Sequence, residues 1–320
     1  MSEPLLSVVV VTDAYDTIRK TVRHLRAQTI ADGIELVVVA AGREEALGLD
    51  AAELSELHSH RVVRVDDIQS LSWARAPGIR VARAPIVALA ESHCFPEPEW
   101  AERLLAAHEQ GWAAVGPAIY NANPATAVSW INLLIDYGPW LGPTEGGEID
   151  DLPGHNSSYR RELVLEYGPR LESMLEAETI MHEDLRARGH RLYQEPGART
   201  AHVNVTRTSS WIGERFQTGR RFASARSHSW PAWRRALYAA GSPLIPLVRF
   251  RRLLRDVRRA GIGRNFRGSG YPLLALALAV SASGELVGYA LGSGDSMYAL
   301  SRIELHKERH VSAVEQAELV

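Results

Sequence analysis

Short apolar runs rich in β-branched residues, each followed by a stretch with helical spacing, constrain this chain more than any other feature. Leu5–Thr12 (LLSVVVVT) and Ile34–Ala41 (IELVVVAA) lack polar alternation, the pattern of strands covered on both faces. Between them, Ile18, Val22 and Leu25 share one face of a helix that Asp13 or Asp16 can cap. Ala51–His58 reads as a short helix, and Val62–Val65 as a third strand ending at Asp66-Asp67. Leu71–Ala82 is helical in composition, with a turn or kink expected at Pro77. Ile86–Ala90 is a further buried strand. The alternation predicts an α/β doubly wound parallel sheet with a nucleotide-type site beyond the carboxyl ends of its strands. No GxGxxG follows the first strand and no Walker lysine motif occurs, which weakens dinucleotide and P-loop readings.

One strand end stands out. Ile86–Ala90 stops at Glu91-Ser92-His93, and Pro96 and Pro98 end the pairing. A carboxylate and an imidazole there can hold a divalent cation such as Mn²⁺ or Mg²⁺. A polar strand end facing water explains these residues equally well, and taken alone they favour that reading. Further on, Ala113–Ile119 reads as a strand, Gly142–Pro153 as a mobile loop, and Ser157–Arg161 as the opening of a helix. Leu171–Gly189 reads as one long helix closed by its glycine, and Arg191–Glu195 as a short strand. Trp73, Trp100 and Trp112 are expected in the core.

The net charge of -2 conceals an asymmetry. Arg207–Arg267 holds 15 Arg against Glu214 and Asp256, a local charge of +13. Such a stretch suits a membrane surface, a phosphate-bearing ligand or nucleic acid. Nucleic acid is not expected, because no aromatic residues interleave in a recognisable DNA or RNA module. Cys94 is the sole cysteine, so an intrachain disulfide is excluded and a reducing compartment is expected. It reads as a small buried residue without thiol chemistry. MSEPLLSVVVVT has no Lys or Arg ahead of its apolar run. A secretory signal is therefore not expected, and a cytoplasmic body is.

The order of motifs resembles family 2 glycosyltransferases of the GT-A fold over roughly residues 5 to 225. SVVVVTDAYDTIRKTVRHLRAQT is similar to the family's first strand and helix. ARAPGIRVARAPIVALAESHCFPEPEW resembles the segment running into its metal-binding DxD, GHNSSYRREL its acceptor-side segment, and LEAETIMHEDLRARGHRLYQEPGARTAH the segment with the catalytic carboxylate and a later histidine. The resemblance implies a mixed Rossmann-like sheet flanked by helices. It also implies inverting transfer of a sugar from a nucleotide-diphosphate donor to a glycan or a polyprenyl- or other lipid-linked acceptor. By resemblance Glu178 is the catalytic base, rather than Glu183 or Asp184, which are expected on a solvated helix face. Glu91, His93 and His202 are the implied metal ligands. Thr12, Asp13, Asp67, Arg75 and Glu91 are implied at the donor, and His155, Asn156 and Arg220 at the acceptor or diphosphate.

Two departures stand against the family pattern. Glu91-Ser92-His93 replaces DxD, and the second strand ends Val39-Ala40-Ala41 without the usual nucleotide-binding Asp. Nucleoside recognition then falls to Asp13, Asp66 or Asp67. The alternative is a GT-A relative without turnover that serves as a binding or scaffold subunit.

Residues 1–228 are expected to form the catalytic domain and 229–320 a basic, apolar helical region on the cytoplasmic face of the plasma membrane. Tyr271–Leu291 is 21 residues long with Glu285 as its only charge, and about 20 apolar residues suffice to span a bilayer. A charge near the middle costs roughly 2.5–3.5 kcal/mol on insertion scales. Interfacial or hairpin insertion is therefore expected, with a soluble helical subdomain as the alternative.

Overall fold

The computed structural model describes residues 3–42, 47–176 and 178–319. They form two compact units, Met1–Tyr120 with Gly142–His202, and Asn121–Leu141 with Val203–Val320.

In the first unit the continuous apolar runs become the parallel half of a sheet. β1 (Leu6–Thr12), β2 (Ile34–Ala41), β3 (Ser59–Val65) and β4 (Ile86–Leu89) lie in the order β3-β2-β1-β4. All three pairings are parallel. Every residue of β1 is buried, as a two-faced strand requires. α1 (Tyr15–Arg26) sets Ile18, Val22 and Leu25 into the core, and each such burial stabilises by roughly 1.5–3 kcal/mol. α2 (Leu71–Val81) continues through Pro77, so of the expected turn or kink no turn occurs there. Beside it, Gly78 lets the helix lie against the sheet, because a Cβ there would stand 2.7 Å from both Val9 and Val39. α3 (Trp100–Glu109) follows the metal-type strand end and buries Trp100 and Leu104.

The other strands make the sheet mixed. They are β5 (Cys94–Pro96), β6 (Ala114–Asn121), β7 (Gly147–Ile149), β8 (Ser158–Arg160) and β9 (Leu192–His202). The order continues β4-β8-β6-β9-β5, with β7 also on β9, giving nine strands among the described residues. β8 is antiparallel to β4 and β6, and β5 and β7 are antiparallel to β9. This is the mixed α/β sheet that the resemblance implies, rather than a wholly parallel one.

Three local expectations need correction. Ser158–Arg160 is a strand, held by pairing on both sides, and the helix begins only at Arg161. The last strand runs on to His202 instead of stopping at Glu195. Pro196 is tolerated because it falls between the residues paired with β7 and those paired with β5. The helix expected over Leu171–Gly189 is seen as Leu171–Glu176 and as α4 (Glu178–Ala187), and Ala177 lies outside the described residues. The helix near residue 51 covers only Ala51–Leu54.

The second unit is helical. Its main elements are Ala127–Tyr137, α5 (Thr208–Arg226), α6 (Ala232–Gly241), α7 (Ile245–Arg259) and α8 (Gly270–Leu291). α5 and α8 touch backbone to backbone. A Cβ on Gly219 would stand 2.1 Å from the Ser281 carbonyl oxygen, and one on Gly284 2.0 Å from that of Phe216. Of the two expected modes, interfacial or hairpin, a hairpin within Tyr271–Leu291 is absent, since α8 is one unbroken helix. Its Glu285 is 1% exposed and lies 2.6 Å from the Arg249 guanidinium. Burial raises the Glu285 pKa, and Arg249 opposes that shift.

Candidate active site

The parallel strands β1, β3 and β4 all end at one edge of the sheet, where Thr12, Asp67 and Glu91 follow or close them. Thr12 Oγ1 bonds the backbone of Ala14 and the Thr17 hydroxyl, which shapes the turn after β1. Asp13 is half-buried in that turn, and Asp66 and Asp67 are exposed.

Glu91 is the hub of the deeper site. The turn carrying it is fastened to α1 by a residue that sequence reading passed over. Thr21 Oγ1 is 2.8 Å from the carbonyl oxygen of Ser92, with those of Glu91 and Cys94 at 3.3 and 3.2 Å. Glu91 Oε2 is 3.7 Å from His93 Nε2 and 3.7 Å from His202 Nε2. It also accepts from Asn156 Nδ2 at 3.1 Å and from Cys94 Sγ at 3.2 Å. Glu91, His93, Cys94 and His202 each turn one possible ligand atom into a group spanning at most 4.8 Å. All four side chains are buried. Strand register explains the fourth member: Cys94 on β5 lies directly opposite His202 on β9, so the two share a face. Two imidazoles, a carboxylate and a sulfur within that span fit a divalent transition metal.

A second cluster adjoins the first. Asn156 takes a left-handed backbone, φ 66°, which Asn tolerates better than most residues. Its N–H donates to the Leu89 carbonyl, and Leu89 N–H donates to that of Ser157, so the approach to β8 is laced to the end of β4. His155 is thereby held beside the site, with Nδ1 3.8 Å from Glu91 Oε1 and 3.7 Å from Glu178 Oε1. Arg75, buried on α2, reaches His155 Nδ1 at 2.6 Å and Glu178 Oε1 at 3.8 Å. A guanidinium can only donate, so Nδ1 accepts and a neutral His155 carries its proton on Nε2.

Glu178 lies on α4, and Gly154 makes room for its carboxyl, since a Cβ there would stand 2.3 Å from Glu178 Cδ. His182, one turn on, shares its face and bonds Asp151 at 2.5 Å and the Tyr159 hydroxyl at 2.9 Å. Burial, and after it the Glu178 carboxylate, hold the Tyr159 hydroxyl well above its usual pKa. Glu183 faces solvent, and Asp184 accepts from the Tyr167 hydroxyl at 2.8 Å.

The structure therefore brings together Arg75, Glu91, His93, His155, Asn156, Glu178 and His202, and adds Cys94 and Thr21. Arg220 is engaged inside the second unit instead, donating from Nε to the Gly292 carbonyl just past α8. Trp100 is buried as expected, whereas Trp73 is 52% exposed, with its indole N–H on Glu176.

Residues 7–168 match the sequence profile of Glycosyl transferase family 2. The glucosyl-dolichyl phosphate glucuronosyltransferase of Haloferax volcanii is 25% identical over 229 residues, covering 65% of this chain and 70% of the relative. The provisionally named glycosyltransferase EpsH of Bacillus subtilis is 31% identical over 106 residues, 33% of this chain and 30% of that protein.

Proposed function

The chain belongs to Glycosyl transferase family 2 and is a glycosyltransferase, and from that premise we propose an inverting, metal-assisted transfer from a nucleotide-diphosphate sugar to a lipid-linked acceptor. One observation carries the reading. The Glu178 carboxylate, the Arg75–His155 pair and the Glu91, His93, Cys94 and His202 donor group meet at the carboxyl edge of one sheet.

Glu178 is the general base, taking the acceptor hydroxyl's proton as that oxygen attacks the anomeric carbon; a positioned base contributes about 10²–10⁴-fold. Arg75 orients Glu178 and His155 and supplies positive charge for the diphosphate that leaves. Asn156 holds the Glu91 carboxylate in place through its amide. Thr12, Asp13 and Asp67 line the donor edge. Glu91, His93 and His202, with Cys94 beside them, would hold a divalent cation, and of the expected pair Mn²⁺ fits these nitrogen and sulfur donors better than Mg²⁺; the cation supplies charge stabilisation for the departing diphosphate.

The Haloferax relative is named for a dolichyl phosphate-linked substrate, which supports a polyprenyl-type acceptor here. We assign catalysis to residues 1–228 and membrane attachment, at the cytoplasmic face, to residues 229–320. Calorimetry with UDP-, GDP- and dTDP-sugars, with and without Mn²⁺, tests the reading. Binding of one donor only with metal, and its loss in His93→Ala, is the expected result. No binding of any donor under either condition would favour a scaffold subunit without turnover.

A further inference from the structure

In the second unit, the backbone stays helical from α6 through a 3₁₀ turn at Ser242–Leu244 into α7. Gly241, Ser242, Leu244 and Ile245 all keep right-handed dihedrals. Residues 232–259 thus form one continuous helical rod. Its exposed positions divide sharply. Every exposed residue from 232 to 248 is apolar, and they recur at helical spacing along one face. Trp233, Leu237, Leu244, Leu247 and Val248 are each 58% to 69% exposed. Every exposed residue from 251 to 259 is arginine. At 1.5 Å per residue the apolar face is about 25 Å long.

α8 has the opposite character. It is long and apolar enough to cross a membrane, yet half of it is buried. Its glycine face is closed by α5, and its one charge is buried against Arg249. It is the spine on which α6 and α7 pack.

We propose that the α6–α7 rod, and not α8, is the membrane seat. Its apolar face enters the boundary between headgroups and acyl chains, and Arg251, Arg252, Arg255 and Arg258 take the phosphates of an anionic leaflet. Charge complementarity selects this occupant. An apolar face that ends in arginines without an exposed acid matches anionic lipid, and Trp233 marks the interface at the other end. The chain then lies on one leaflet without crossing it. The inference rests on the reading of the protein as a transferase with a lipid-linked acceptor, and deepens it.

The test uses the full chain and sucrose-loaded vesicles of phosphatidylcholine, with or without one quarter phosphatidylglycerol, and no donor. Wild type is expected to sediment with the anionic vesicles and at least tenfold more weakly with the neutral ones. Leu244→Glu with Val248→Glu should weaken binding at least a hundredfold at unchanged helical circular dichroism. Each of Arg251→Ser and Arg255→Ser should weaken it about fivefold. Leu276→Glu, on α8, should bind like wild type. Cysteines placed at Ser269 and Asp295, flanking α8, should both react with an impermeant maleimide in inside-out host vesicles and neither in spheroplasts. Labelling on opposite sides overturns the proposal. So does loss of binding in Leu276→Glu alone, equal binding to both vesicles, or a dimer broken by the Leu244 and Val248 changes without vesicle binding. Metal-dependent donor binding, measured on the vesicle-deficient variant, tests the transferase reading separately.

Discussion

Each unit buries carboxylates, but in different company. In the helical unit, Glu214 is 3% exposed beside Arg215 and Lys307, at 3.4 and 3.8 Å, and Arg215 makes a two-pronged pair with Asp136 at 2.8 Å. Burial raises the Glu214 pKa, with Arg215 and Lys307 opposing it. In the sheet unit, Glu91 is also buried, yet the imidazoles of His93, His155 and His202 stand within 4 Å of its carboxyl, and a sulfur joins them. Arginine and lysine bring permanent charge and complete a structural pair. Imidazole and sulfur bring lone pairs, which invite a cation that is not part of the chain. Burial of an acid therefore does not identify a site; the chemistry of its neighbours does.

That contrast can be broken by substitution, beginning with the largest effect. Glu178→Gln removes the proposed base while keeping its shape, so kcat should fall about a thousandfold with donor affinity within threefold of wild type. Rapid-quench transfer assays beside calorimetry check both, and an active variant would move the base elsewhere. Arg215→Met leaves Asp136 without its two-pronged partner and buried Glu214 with Lys307 alone. Breaking a buried pair costs about 3–5 kcal/mol, measurable by urea unfolding, while Mn²⁺ affinity should not move. His93→Ala and His202→Ala should behave in the reverse sense. Mn²⁺ affinity, followed by electron paramagnetic resonance, should weaken at least tenfold, with unfolding changed by under about 1 kcal/mol. If the two sets of variants gave the same pattern, the contrast between architectural and ligand-binding acids would be lost.

The parallel half of the sheet was legible because β1, β2 and β4 are continuous apolar runs, and such runs have few other uses. Glu91, His93 and His202 were legible from motif order, and Glu178 from its distance to Gly189. Cys94 was not. A single sulfur carries no spacing pattern, and its role depends on the register that sets β5 opposite β9. Thr21 was hidden for a similar reason, because a threonine on a helix face reads as ordinary until the turn it fastens is in place. Ser158–Arg160 read as helix because its strand identity comes from β4 and β6 on either side, not from its own residues. α8 was legible only in part: its hydropathy is that of a membrane span, Glu285 argued against crossing, and the close contacts of Gly219 and Gly284 with facing backbone show that one of its faces has a protein partner.

The smallest expected effect separates two kinds of buried histidine within the sheet unit. His108 lies 3.1 Å from the Trp112 carbonyl oxygen through Nδ1 and 2.9 Å from the Ser158 hydroxyl through Nε2. Since a carbonyl only accepts, Nδ1 carries the proton and Nε2 accepts from Ser158. Burial pushes its pKa down from 6.5 to about 4, more than the Trp112 bond raises it, with Arg160 adding to the fall. Between those two values the unfolded chain binds a proton that the folded chain refuses. Stability from this group is therefore complete above about pH 6.5 and is lost as pH falls toward 4. From pH 7 to pH 5 the loss is roughly 2 kcal/mol. His108→Gln should flatten that part of the profile in urea unfolding without altering Mn²⁺ affinity. A slope unchanged by the substitution would mean that other groups carry the acid sensitivity, and that His108 is no different in kind from the histidines around Glu91.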